Sequence, residues 1–209
     1  MRFQMSLWVA AFCAAMVTTT SAQTVQLNKN GRNVQVVSNA KLGPKSTQFM
    51  KEWRNGRSFF GALVFNSAED GQWGSIYGFH SLETARKGAM ALCRADAKQP
   101  NACFEYAYVL PRGYDPNASG QTLGKEAQDA FRGKYTKSQK KGTFAAFAIS
   151  DAFDWGWANN RPSAAAAQEQ AILNCEASIA RSKAGASPTT RKALKLDRLK
   201  CRVIHTAQR

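Results

Sequence analysis

Two stretches of the chain carry the same spacing of apolar, small and polar positions. In "DGQWGSIYGFHSLETARKGAMALC", residues 70–93, and in "DWGWANNRPSAAAAQEQAILNC", residues 154–175, a Trp-Gly pair stands 20 residues before a cysteine. Counting back from each cysteine aligns Trp73 with Trp155, Gly74 with Gly156, Ser81 with Ser163, Ala85 with Ala167 and Ala89 with Ala171. Upstream, FGALVFNS (60–67) lines up with FAAFAISD (144–151), and downstream the stretch opened by Cys103 lines up with the one opened by Cys201. Five matches without a gap, extended upstream after a two-residue shortening of the intervening loop, mark an internal duplication.

Each copy predicts strand, strand, helix, strand. The first strand is almost continuously apolar, as in a strand covered on both faces. In the second, alternation puts Trp73, Tyr77 and Phe79 on one face and Gly74 and Gly78 on the other. Ser81 and Ser163 are good N-caps, and Leu82, Ala85, Ala89 and Leu92 follow as a helical apolar stripe whose alanines let the helix lie close to a sheet. Between the copies the pattern weakens. Residues 24–37, TVQLNKNGRNVQVV, alternate about Asn30-Gly31 and predict a hairpin. Pro111 to Gly142 reads as a Gly- and Lys-rich connector with a short helix over 123–132. Ser187-Pro188 opens an inserted helix running to Lys200 in the second copy. The fold class is α+β: two related strand-strand-helix-strand units packed together. The boundaries are a leader at 1–22, a hairpin or extended segment at 23–57, the first unit at 58–110, a basic connector at 111–141, and the second unit at 142–209.

The leader changes the picture of where the protein acts. Arg2, the apolar run from Leu7 to Val17 and small polar residues ending at Ala22 have the order of a secretory signal peptide. Cleavage near Ala22 predicts a periplasmic or secreted protein. The run is shorter than the roughly 20 apolar residues a membrane span needs, and bulky Phe12 before Cys13 argues against lipid attachment. Processing leaves Cys93, Cys103, Cys175 and Cys201. An even count in an exported chain favours disulfides. Of the three possible pairings, the duplication makes the local one, Cys93 to Cys103 and Cys175 to Cys201, the natural choice.

Formal charge is +15, and +14 without the leader, whose only charge is Arg2. Such a field attracts anions. Export removes the chain from chromosomal nucleic acid, so the partners it implies are an anionic envelope polymer, lipid head groups or an acidic protein. On a helix from 188 to 200, Arg191, Lys195 and Arg198 fall on one face, with Ala193, Leu196 and Leu199 toward the body. With Lys192, Lys200 and Arg202 they form the candidate anion-binding surface. Lys134, Lys137, Lys140 and Lys141 make a second cluster, and either run also reads as a solvated face. Trp73, Tyr77, Phe79, Phe104, Tyr106, Tyr108, Trp155 and Trp157 offer a stacking platform for sugars or bases, though strand periodicity explains most of them as core.

Enzyme signatures are sparse. After the leader the histidines are His80, aligned with Pro162, and His205, aligned with Ala107, so a duplicated histidine site is excluded. A single site using His80 with Asp70 or Glu69 stays open beside the commoner reading of a structural histidine. Disulfides account for the cysteines, no His-x-x-x-His or Cys-x-x-Cys spacing occurs, and nothing calls for a cofactor. Ser138-Gln139-Lys140-Lys141 and Gly120 to Lys125 echo a Ser-x-x-Lys site and a phosphate loop, but without the dry lysine or the Ser/Thr those chemistries need.

F-x-A-x-A, then Trp-Gly, a Ser-capped Ala-rich helix ending in Cys, and a second Cys opening a strand form a pattern with relatives. The chain resembles small exported bacterial proteins of the domain-of-unknown-function kind, especially alphaproteobacterial ones with segments like GFHSLETARKGAMALC. That likeness spans residues 58–110 and 142–206 and implies no catalytic residue. Three functions are compatible with the residues. The first is an exported binding protein for an anionic envelope component or acidic protein. The others are an inhibitor of an envelope-degrading enzyme presenting a rigid loop such as 66–72, and an enzyme using His80.

Overall fold

A computed structural model describes residues 24–29, 31–56 and 58–209. The expected signal peptide, residues 1–22, and Asn30 of the expected turn lie outside the described residues.

The duplicated frame is present in three dimensions. In the first unit β3 (Gly61–Asn66) is buried throughout and pairs antiparallel with β4 (Trp73–Ile76) on one side and β5 (Cys103–Pro111) on the other. In the second, β7 (Phe144–Ile149) pairs in the same way with β8 (Trp155–Arg161) and β9 (Arg202–Gln208). The irregularity on the third strand of each unit coincides as well. The ladder between β3 and β5 skips Tyr106 after Leu63, and that between β7 and β9 skips Ile204 after Phe147. In each case one strand gains an extra residue, a β-bulge that bends it over its sheet.

One helix crosses each sheet: α2 (Leu82–Asp96) and α4 (Ala164–Gly185). Ser81 and Ser163 cap them alike, each hydroxyl accepting from the backbone N–H three residues on. The stripe Ala85, Ala89, Cys93 and its copy Ala167, Ala171, Cys175 are fully buried. The glycine of each Trp-Gly pair lies beneath this stripe. A Cβ on Gly74 would collide with the Ala89 carbonyl and the Cys93 nitrogen, and one on Gly156 with the Ala171 carbonyl and the Cys175 nitrogen. Disulfides Cys93–Cys103 and Cys175–Cys201 tie each helix to the start of the following strand. Closing these loops in the unfolded chain is worth about 3 kcal/mol each on the chain-entropy argument.

Helices on the opposite faces were not all foreseen. α1 (Pro44–Trp53), within the segment read as hairpin or extended, covers the first sheet. Phe49 stacks on Trp73 with centroids 4.0 Å apart, and Trp53 donates its indole N–H to Ser75 Oγ at 2.7 Å. In the connector, α3 (Lys125–Ala130) continues into a π-helical turn over Phe131–Tyr135 and covers the second sheet. Phe131 and Tyr135 pack on Phe147, and the Tyr135 hydroxyl meets His205 Nδ1 at 2.7 Å. Each unit is therefore completed by a preceding helix with an aromatic pair four residues apart.

The expected hairpin does not form. β1 (Val25–Gln26) pairs in parallel with β6 (Gln121–Thr122) beside the second unit, while β2 (Arg32–Val36) adds to the outer side of β5 in the first. Alternation about Asn30-Gly31 marks a crossing between units, because each strand finds a longer-range partner than the other. Gly31, at φ 103°, supplies the left-handed residue of that crossing.

Candidate functional site

The inserted segment was expected to be one helix from 188 to 200 with Arg191, Lys195 and Arg198 on a shared face. Its start is as expected: Ser187 accepts from Thr190 N–H and Pro188 occupies the first turn. The helix, α5 (Pro188–Ala193), then ends. Lys195 takes a left-handed conformation at φ 51°, and Leu196–Arg198 form a single 3₁₀ turn. The reason lies in Leu194 and Leu196. Two residues apart on a helix they would point about 200° apart, yet Leu194 lies against Gly88 of α2 and packs on the first core, and Leu196 is buried. The left-handed step turns both inward and dissolves the expected face.

The cations themselves stay outside. Arg191, Lys192, Lys195, Arg198, Lys200 and Arg202 are all exposed. Asp197, the one acid in the segment, pairs with Lys183 at 3.4 Å, and Arg202 with Asp151 at 3.8 Å. Among the described residues, Arg191, Lys192, Lys195, Arg198 and Lys200 have no carboxylate partner. Arg191 is oriented by its Nε–H, which donates to the Ala186 carbonyl at 3.1 Å. Lys195 also borders a pocket of about 390 Å³ between α2 and the inserted segment, with Lys87, Asp151 and Leu199. Lys134, Lys137, Lys140 and Lys141 are exposed on the connector.

His80 sits at the junction of the units, 2 % exposed. Its Nε2–H donates to the Asp154 carbonyl at 3.0 Å and its Nδ1 accepts from Gly124 N–H at 3.2 Å, which a neutral imidazole satisfies. Burial pushes its pKa down to about 4. Its expected partners serve elsewhere. Asp70 accepts from the N–H groups of Lys45 and Ser46 and so caps α1, and these bonds, Ser46 first, hold its carboxyl below the usual range. Glu69 accepts from Gln99 N–H at 2.8 Å. His80 is thus a junction residue, and the loop 66–72 is tied down by its own acids. His205, half-buried, is engaged by Tyr135, and burial lowers its pKa.

The aromatic residues do not form one platform. Trp73, Phe79, Phe104, Tyr106 and Tyr108 belong to the core around the first sheet, while Trp155 and Trp157 pack at the second. Tyr77 is the exposed one, at 47 %. Tyr108 donates its hydroxyl to Glu105, which also pairs with Arg86, and burial with that bond pushes the phenol up to about 12. Among the described residues, no three His, Cys, Asp or Glu side chains gather as metal ligands, and no helix is long and apolar enough to cross a membrane. No family model matches the chain, and neither a curated protein nor a solved structure matches it.

Proposed function

We propose that this is an exported, non-enzymatic binding protein whose inserted cationic segment engages an anionic envelope component or an acidic protein. The observation that carries this reading is the set of exposed cations, Arg191, Lys192, Lys195, Arg198 and Lys200, without acidic partners on a segment the other unit lacks. Charges left unpaired beside one another raise the local concentration of anions and speed encounter with them. Two disulfides accord with an oxidising compartment, where the N-terminal leader would deliver the chain. His80, with both ring nitrogens engaged in the junction, argues against a histidine-based enzyme.

Capture from envelope extracts at low and high salt tests the proposal. Wild-type protein should retain a partner at low salt and release it as the ionic strength passes 0.15 M, where the Debye length is about 8 Å. The combined variant Arg191→Glu, Lys195→Glu, Arg198→Glu should lose at least about tenfold in retention while unfolding at an unchanged temperature. Capture indifferent to both salt and charge reversal would sink the proposal.

A further inference from the structure

The two units also differ at the strand that opens with the Trp-Gly pair. β4 has four residues, whereas β8 has seven, and α4 extends past its disulfide for ten further residues where α2 has three. A groove of about 610 Å³ opens along β8 between α4 and α3, within the size range of small-ligand sites. At the positions of Asn174 and Ser178 the first unit carries Leu92 and Asp96.

The geometry points to this groove as a binding site for a carboxylate-bearing oligosaccharide. Trp155, stacked on Phe147 at 5.9 Å, and Trp157 supply half-buried indoles against which the C–H face of a sugar ring packs. Asn159, Asn160 and Asn174 line the groove with carboxamides held by the protein: their Nδ2 groups donate to Lys134, Tyr135, Ser138 and Trp157, so what they offer a sugar hydroxyl is acceptor oxygen. Buried Asn159 Oδ1 lacks a hydrogen-bond partner. Arg161 and Arg181 also line the groove, and among the described residues neither guanidinium meets a carboxylate; buried Arg161 Nε has no partner at all. Asn174 reaches Trp157 and Ser178 reaches Asp154, so Arg181, a turn further along α4, lies toward the end of β8 opposite Arg161. A free guanidinium over such a surface is suited to bidentate recognition of a carboxylate. An added peptide strand fits less well, because Asn174 Nδ2 already donates to the Trp157 carbonyl at 2.8 Å on the outer edge of β8.

This site lies apart from the cationic segment, and its test separates the two. Mature disulfide-bonded protein is applied to an array of uronate- and muramate-containing oligosaccharides, their neutral counterparts and glutamate-rich peptides. Retention of at least one carboxylated oligosaccharide over its neutral counterpart is expected. Arg161→Gln and Arg181→Gln, the latter an exposed position that leaves folding intact, should each weaken it about tenfold. The Arg191→Glu, Lys195→Glu, Arg198→Glu variant should leave it within about twofold. No retention of any carboxylated oligosaccharide, equal retention of the neutral ones, retention of peptides alone, or indifference to both arginine variants overturns the assignment.

Discussion

Why each Trp is followed by glycine is decided by the helix above it. Gly74 and Gly156 touch helix backbone, not side chains, so an added methyl has nowhere to go. Gly74→Ala or Gly156→Ala should cost about 2 kcal/mol or more, because strand and helix must separate. Urea denaturation with the disulfides intact would show it, and a loss under about 0.5 kcal/mol would mean the contact is loose. His80 gives a second prediction at this scale. Its folded pKa, about 4, lies below the ordinary 6.5, so the unfolded chain binds more protons between those values. Stability is fully present above pH 6.5 and falls as the pH drops toward 4, by about 3 kcal/mol. His205, lowered in the same direction, adds to the slope. His80→Gln should flatten most of the stability profile in that window, and an unchanged slope would show that His80 is not protonated on unfolding.

At the scale of elements, the duplicated unit is larger than the strand-strand-helix-strand frame. α1 and α3 occupy the same place over their sheets, and each brings an aromatic pair four residues apart, Phe49 with Trp53 and Phe131 with Tyr135. That pairing was a readable signal, hidden because the residues differ and one helix passes into a π turn. The strands, the capped helices and both disulfides were legible, since period, N-cap and cysteine spacing are local. The break at Lys195 was not, because only the bodies that receive Leu194 and Leu196 reveal that both must face inward. The groove along β8 was legible only in part: Trp155 and Trp157 stand out in sequence as ring-stacking candidates, but Asn159 is ordinary there, and only the extension of α4 gives them a wall. Removing Cys175 and Cys201 together by alanine should lower stability by about 3 kcal/mol. Equilibrium unfolding would measure it, and no loss would mean that packing alone fixes α4.

Across the whole molecule, two equivalent units are joined by residues outside the duplicated pattern. Phe79 meets Phe153 at 5.1 Å, the His80 backbone N–H donates to the Ala152 carbonyl, and Lys125 N–H donates to the Phe59 carbonyl. The N-terminal segment adds a strap, with β1 beside the second unit and β2 on the first. Such contacts are long-range and single-copy, so no internal comparison could expose them. The cationic segment and the β8 groove both belong to the second unit, where α4 is longer and the cysteine loop wider, while the first keeps the shorter form. Divergence inside a duplicated frame is thus where both proposed binding surfaces arise, and that frame depends on one local disulfide in each unit. Mass-spectrometric mapping of disulfide-linked peptides, from protein purified out of an oxidising compartment without reductant, tests it most directly. The account predicts Cys93 linked to Cys103 and Cys175 linked to Cys201. Crossed pairing between the units, or four free thiols, would contradict it.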